Sequence, residues 1–288
     1  VGPVPGPPEF RTALRDLGYI EGQNLVVDAR YAGGQFERLP QLARELVKLG
    51  PDIILAPGSA EAQAAKRVTT AIPIVMVTAV DPVGLGLVTS LARPGGNVTG
   101  LTSTAGSELH GKRLQMLREL APGATRIALL VNPGTPATPG RVQATEVAAR
   151  ALGVDVRVVE VRAPAELNGA FSTIKQHQIH ALLVATNRLF AAERVRLAEL
   201  AARARMPAMY DTREYVEAGG LAAYGPSYPA LFRRAAGYVD RILKGQKPAD
   251  LAVEQPTTFE FILNRKTANA LGLGLSPALL VRVDQVIE

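Results

Sequence analysis

Two stretches of this chain carry residue types that could cradle a phosphate. The first is 78-TAVDPVGLGLVTSLARPGGNVTG-100, which follows an apolar run and holds one acid, Asp81, with glycines at 84, 86, 95, 96 and 100. Gly84-Leu-Gly86 begins like a dinucleotide fingerprint but has no third glycine and stands too far from the strand end. The fingerprint needs its first glycine in the tight turn, with the next helix aimed at the pyrophosphate. The second is 106-GSELHGKR-113, which fits a phosphate loop until Arg113 takes the place of the magnesium-binding Ser or Thr. Neither stretch is a nucleotide site, and 107–120 reads instead as an amphipathic helix.

Other chemistries are equally sparse. The three histidines are His110, His177 and His180, and the last two sit at a helix-to-strand junction with no acid at ligand spacing. Ser59 is not in a nucleophile elbow, and no carboxylate pair marks itself as an acid–base couple. The absence of cysteine removes disulfides, thiolate metal sites and thiol nucleophiles together. These residues predict no catalytic centre, no metal and no cofactor. The charge of +6, from 32 Lys and Arg against 26 Asp and Glu, is scattered among acids along the chain, which predicts solvated arginines and no nucleic-acid surface.

Short apolar runs alternate with amphipathic helices, which predicts an α/β protein with parallel sheets. A helix over FRTALRDLGY and strands over 24–32, 52–58, 72–79 and 97–102 form one series. A second series begins with the helix SELHGKRLQMLREL and has strands at 126–132, 154–161, 180–186, 207–211 and 221–225. A long helix, PALFRRAAGYVDRILKG, and a strand at 259–264 follow. Two series of about 100 residues predict two doubly wound lobes, with an eight-fold barrel as the rival. The irregular 80–105 segment favours the lobes, because it reads as a crossing between them.

Ligands of doubly wound sheets bind at the carboxyl ends of the strands. That rule singles out the turns there. Gly58-Ser59-Ala60 offers backbone N–H groups and a hydroxyl at a helix start, suited to a carboxylate, although Ser59 could equally cap the helix. Val80-Asp81 follows the third strand, and Asp81 either meets a ligand donor or caps the next segment, with the cap favoured. Asn132, Thr186, Asn187, Tyr210 and Tyr224 end later strands.

In order along the chain, FRTALRDLGYIEGQNLVVDARYA, RLPQLARELV, DPVGLGLVTSLARPGGNVTGLT and the run from AGGLAAYGPSYPALF to SPALL resemble the solute-binding proteins of ABC transporters, in the tryptophan/tyrosine-binding branch. The likeness covers nearly the whole chain. It implies a type I periplasmic binding fold: two Rossmann-like lobes joined by crossover hinge segments. The expected lobes are 1–104 with 226–250, and 105–225 with 251–288. It further implies a periplasmic monomer, its signal peptide removed, that closes on one small molecule and delivers it to a permease in the inner membrane. Under this resemblance Gly58, Ser59, Ala60, Val80, Asp81, Asn132, Thr186 and Asn187 would line the ligand.

Two departures qualify the picture. Members of the family begin with a strand before the first helix, whereas VGPVPGPP stands there in this chain, so that strand is expected to be shortened or missing. Amino-acid-binding members carry an acid near position 187, and Asn187 has no charge, which leaves room for an aromatic or aliphatic carboxylate. The alternative function is the ligand-sensing domain of a regulator with the same fold. An enzyme of doubly wound type ranks last, because it needs a catalytic cluster.

Overall fold

The structure, a computed structural model, describes residues 7–32, 35–103, 108–135, 138–185 and 187–288. The chain divides into two compact units. Unit 1 comprises 1–105 and 227–258, and unit 2 comprises 106–226 and 259–288. The first two crossings lie at 105/106 and 226/227. The third lies at 258/259 instead of 250/251, because 251–254 runs along a strand of unit 1. There Thr99 donates its hydroxyl to the Leu251 carbonyl, Glu254 N–H donates to Gly100 O, and Val253 is buried in the core.

Unit 1 contains α1 (Pro8–Asp16), α2 (Leu39–Lys48), β1 (Ile54–Ala56), α3 (Ser59–Lys66), β2 (Ile74–Ala79) and β3 (Val98–Thr102). The three strands form a parallel sheet in the order β1-β2-β3. Alternate side chains serve opposite faces. Val75 and Val77 meet the α1 residues Phe10 and Leu14, while Ile74 and Met76 meet Ala62 and Ala65 of α3. Burial on both faces explains why β1 and most of β2 read as apolar runs. In β3, VTGLT, Thr99 and Thr102 are buried with their hydroxyls bonded to the Leu251 and Ala79 carbonyls.

The strand expected over 24–32 does not form. Leu25 makes a single bridge to Glu21 and the rest is unpaired. A two-residue rhythm survives, with Leu25, Val27 and Ala29 half-buried and Val26, Asp28 and Arg30 exposed. Alternation describes an extended chain, but only a hydrogen-bonded neighbour makes it a strand.

Unit 2 opens with α4 (Glu108–Leu120), β4 (Arg126–Val131), α5 (Thr138–Leu152), β5 (Asp155–Glu160), α6 (Leu167–Gln176) and β6 (Ala181–Val184). Then come α7 (Arg188–Ala192), α8 (Arg194–Arg203), β7 (Ala208–Tyr210), α9 (Arg213–Glu217) and β8 (Ala222–Pro226). The chain leaves for α10 (Tyr228–Leu243) of unit 1, whose Leu231, Ala235 and Val239 pack beside α1. It returns as β9 (Phe259–Asn264), α11 (Arg265–Ala270), α12 (Pro277–Leu280) and β10 (Gln285–Ile287).

The seven strands of unit 2 run in the order β10-β9-β8-β7-β6-β4-β5. All pairings are parallel except β8 with β9, a departure from the fully parallel sheet expected. Chain order reverses at β4, which has β5 on one side and β6 on the other. Ile127, Leu129 and Val131 face α4, α5, α11 and α12, whereas Ala128 and Leu130 face α6 to α9. Each fully buried leucine here contributes roughly 2–3 kcal/mol.

Candidate ligand-binding turns

Hydroxyls lock the two carboxyl-end turns of unit 1 to each other. Ser59 Oγ accepts from Val80 N–H at 2.8 Å, and Thr78 Oγ1 donates to Pro57 O at 2.6 Å. Gly58, not Ser59, stands at the cap position of α3, with no side-chain cap. Ser59 therefore ties two loops together and leaves the first amides of α3 without intrahelical partners, as every helix start does. Asp81 has φ +49°, and its Oδ1 accepts from Gly84 N–H at 3.0 Å. It closes a turn. A Cβ at Gly84 would lie 2.1 Å from Asp81 Oδ2, the far end of a side chain, so a substitution there would displace the Asp81 carboxylate. Lys66 Nζ holds the far end through the Gly86 and Leu87 carbonyls.

In unit 2 the reversal between β4 and β6 places two turns side by side. Asn132 Oδ1 accepts from Gly134 N–H at 2.8 Å, and its carbonyl accepts from the Thr138 hydroxyl at 2.7 Å. Asn187 caps α7 by accepting from Leu189 N–H at 2.7 Å and donates through Nδ2 to Thr135 Oγ1 at 2.5 Å. These asparagines are joined through one threonine at the topological switch point, where α/β sheets take their ligands. Thr186 lies outside the described residues.

Tyr210 does not join them. Its side chain is fully buried, with the ring stacked on Tyr215 at 4.6 Å, because strand alternation turns it into the core facing α6 to α9. The sequence marks only its place at a strand end, and the expectation that it contacts ligand is corrected here. Tyr224 is half-buried, stacked on Phe259 at 5.9 Å, and its carbonyl accepts from Arg113 Nε at 2.6 Å.

The same end of the sheet carries a charged group whose members the sequence alone does not bring together. Asp211 follows Tyr210 and by alternation faces the side of α4 and α5; it is 4% exposed. Arg113 on α4 is 2% exposed, against the expectation that the arginines are solvated. Burial and the neighbouring guanidiniums of Arg113 and Arg141 push the His110 pKa down to about 3, so His110 is neutral. Burial also lowers the Arg141 pKa, while the negative charge of Asp211 opposes that shift. A Cβ at Gly225 would stand 1.8 Å from Asp211 O, so the backbones of the β7 and β8 ends touch. A signal for this group existed. Residues 110, 113, 114, 117 and 120 share one face of α4, which sets a histidine and an arginine on an apolar stripe.

The family model for ABC transporter substrate binding proteins matches residues 9–287. The chain belongs to that family. This substrate-binding protein is 30% identical over 266 residues to the tyrosine-binding protein of Clostridioides difficile strain R20291, covering 92% of this chain and 75% of that one. A conserved domain protein from Vibrio cholerae superposes with TM-score 0.83 at 28% identity, over 97% of this chain and 93% of the other. An ABC domain from Streptococcus pneumoniae, solved in complex with L-Trp, gives TM-score 0.81 at 24% identity, over 97% and 94%. The fold is that of type I periplasmic binding proteins. Among the described residues, no helix is long and apolar enough to cross a membrane.

Proposed function

We propose that this substrate-binding protein captures one small organic solute in the periplasm, as a monomer, and hands it unchanged to a permease in the inner membrane. The solute is an amino acid or a related aromatic or aliphatic carboxylate. The carrying observation is the polar network Asn132–Thr135–Asn187 at the switch point of unit 2. Within unit 1, Gly58, Ser59 and Ala60 offer amides that suit a carboxylate, with Val80 and Asp81 beside them. Tyr224 adds a ring at the end of β8. Relatives bearing the names of tyrosine-binding protein and an L-Trp complex support an aromatic amino acid as the first solute to try.

The test is thermal shift followed by calorimetry on protein unfolded, stripped of carried-over solute and refolded, against the amino acids and simple aromatic acids. A solute at a hundred times its Kd adds about 2.7 kcal/mol, which for a chain of this size raises Tm by roughly 5–10 °C. A full panel without any shift would sink the reading.

A further inference from the structure

We infer that Glu61 of unit 1 is a built-in competitor for the carboxylate of the solute, an inference that rests on solute capture as proposed above. Gly58 is half-buried and has no side chain, so its backbone is the open face of the turn between β1 and α3. The Glu61 carboxylate lies on that face. Its Oε2 is 2.8 Å from the point where a Cβ at Gly58 would stand. Thr78 Oγ1 flanks the same point at 4.0 Å, with its proton already given to the Pro57 carbonyl. A solute carboxylate seated on Gly58 would therefore share its space with a second carboxylate.

What holds Glu61 there is weak. It stands in the first turn of α3, where the positive end of the helix attracts an anion of either origin. Among the described residues its carboxylate has no hydrogen bond and no ion-pair partner. Lys66, at the other end of α3, is held by the Gly86 and Leu87 carbonyls. Displacing Glu61 costs no hydrogen bond, but keeping it in place sets two like charges at one helix start. The consequence is selection. A solute with an uncharged group at this turn escapes the repulsion, and a carboxylate bears it. Glu61 thus holds down the affinity of a turn whose amides favour carboxylates, and it returns to Gly58 when the solute leaves.

Calorimetry on refolded, ligand-free protein tests this with L-tyrosine, L-tryptophan and the desamino acid 3-(4-hydroxyphenyl)propanoate as carboxylates. L-tyrosinamide and L-tryptophanamide serve as their uncharged counterparts at that end. Glu61→Gln keeps the size of the side chain and removes its charge. It should raise the affinity of the three carboxylates by about threefold to tenfold, the worth of a half-exposed charge contact, and move the carboxamides by less than about twofold. Glu61→Ala, which clears the space as well, should give the carboxylates at least the same gain. A Glu61→Gln protein that binds carboxylates no better than wild type overturns the inference and leaves solute capture standing. So does an equal gain for the carboxamides, which would trace the effect to space and not to charge. Failure of every probe against the wild type overturns both readings.

Discussion

The strand-end turns of the two units are built differently. In unit 1 the side chains at the strand ends are occupied with one another: Ser59 with Val80, Thr78 with Pro57, Asp81 with Gly84. What remains for a solute is backbone held in a fixed shape. In unit 2 the asparagines are similarly occupied, but the ends of β7 and β8 bring buried charge, with Asp211, Arg113 and Arg141 beside a neutral His110. A fixed array of amides recognises a feature that many solutes share, such as a carboxylate. Buried charges discriminate, because a mismatched ligand leaves one of them uncompensated.

The comparison can be broken first at the glycines. Gly225→Val in unit 2 forces a side chain into the Asp211 backbone and should cost roughly 3 kcal/mol or more, measured by urea unfolding. Gly84→Ala in unit 1 meets only the tip of the Asp81 side chain, and should cost about 1 kcal/mol or less. Equal costs would show that the backbone contact at Gly225 is no less yielding than the side-chain contact at Gly84.

Acid should weaken unit 2 through His110. Its pKa is lowered on folding to about 3, so the neutral form contributes stability that is fully present above the ordinary value near 6.5. That contribution is lost as pH falls from there toward 3, roughly 1–2 kcal/mol by pH 5. Substituting His110→Gln should flatten this part of the stability–pH curve, and an unchanged slope would remove His110 as its source.

Ser59→Ala should cost about 1–2 kcal/mol, because Val80 N–H loses its acceptor. It should weaken amino acids and desamino acids by the same factor in calorimetry. The smallest effect belongs to Asn187→Ala, about 1 kcal/mol for a lost helix cap, with little change in solute preference.

The site was legible where it follows from strand ends and illegible where it follows from burial. The rule that ligands meet the carboxyl ends picks out Ser59, Asp81, Asn132 and Asn187 from apolar runs alone. It also picks out Tyr210, because position at a strand end does not say which face a side chain takes. One residue further on, Asp211 faces the other way, toward the side of α4 and α5. The burial of Arg113 is not expected from its type, because an arginine in an amphipathic helix is read as solvated unless its place on the apolar stripe is counted.

By itself the sequence determined the alternation of strands and helices and the family. These depend on local periodicity and on residue types, which need no knowledge of neighbours. Only the tertiary structure decided that 24–32 stays unpaired, that 251–254 runs along β3, that β9 lies antiparallel to β8, and that Asp211 is buried with a bare oxygen. Pairing and burial are relations between segments far apart in the chain, and a pattern within one segment cannot specify its partner.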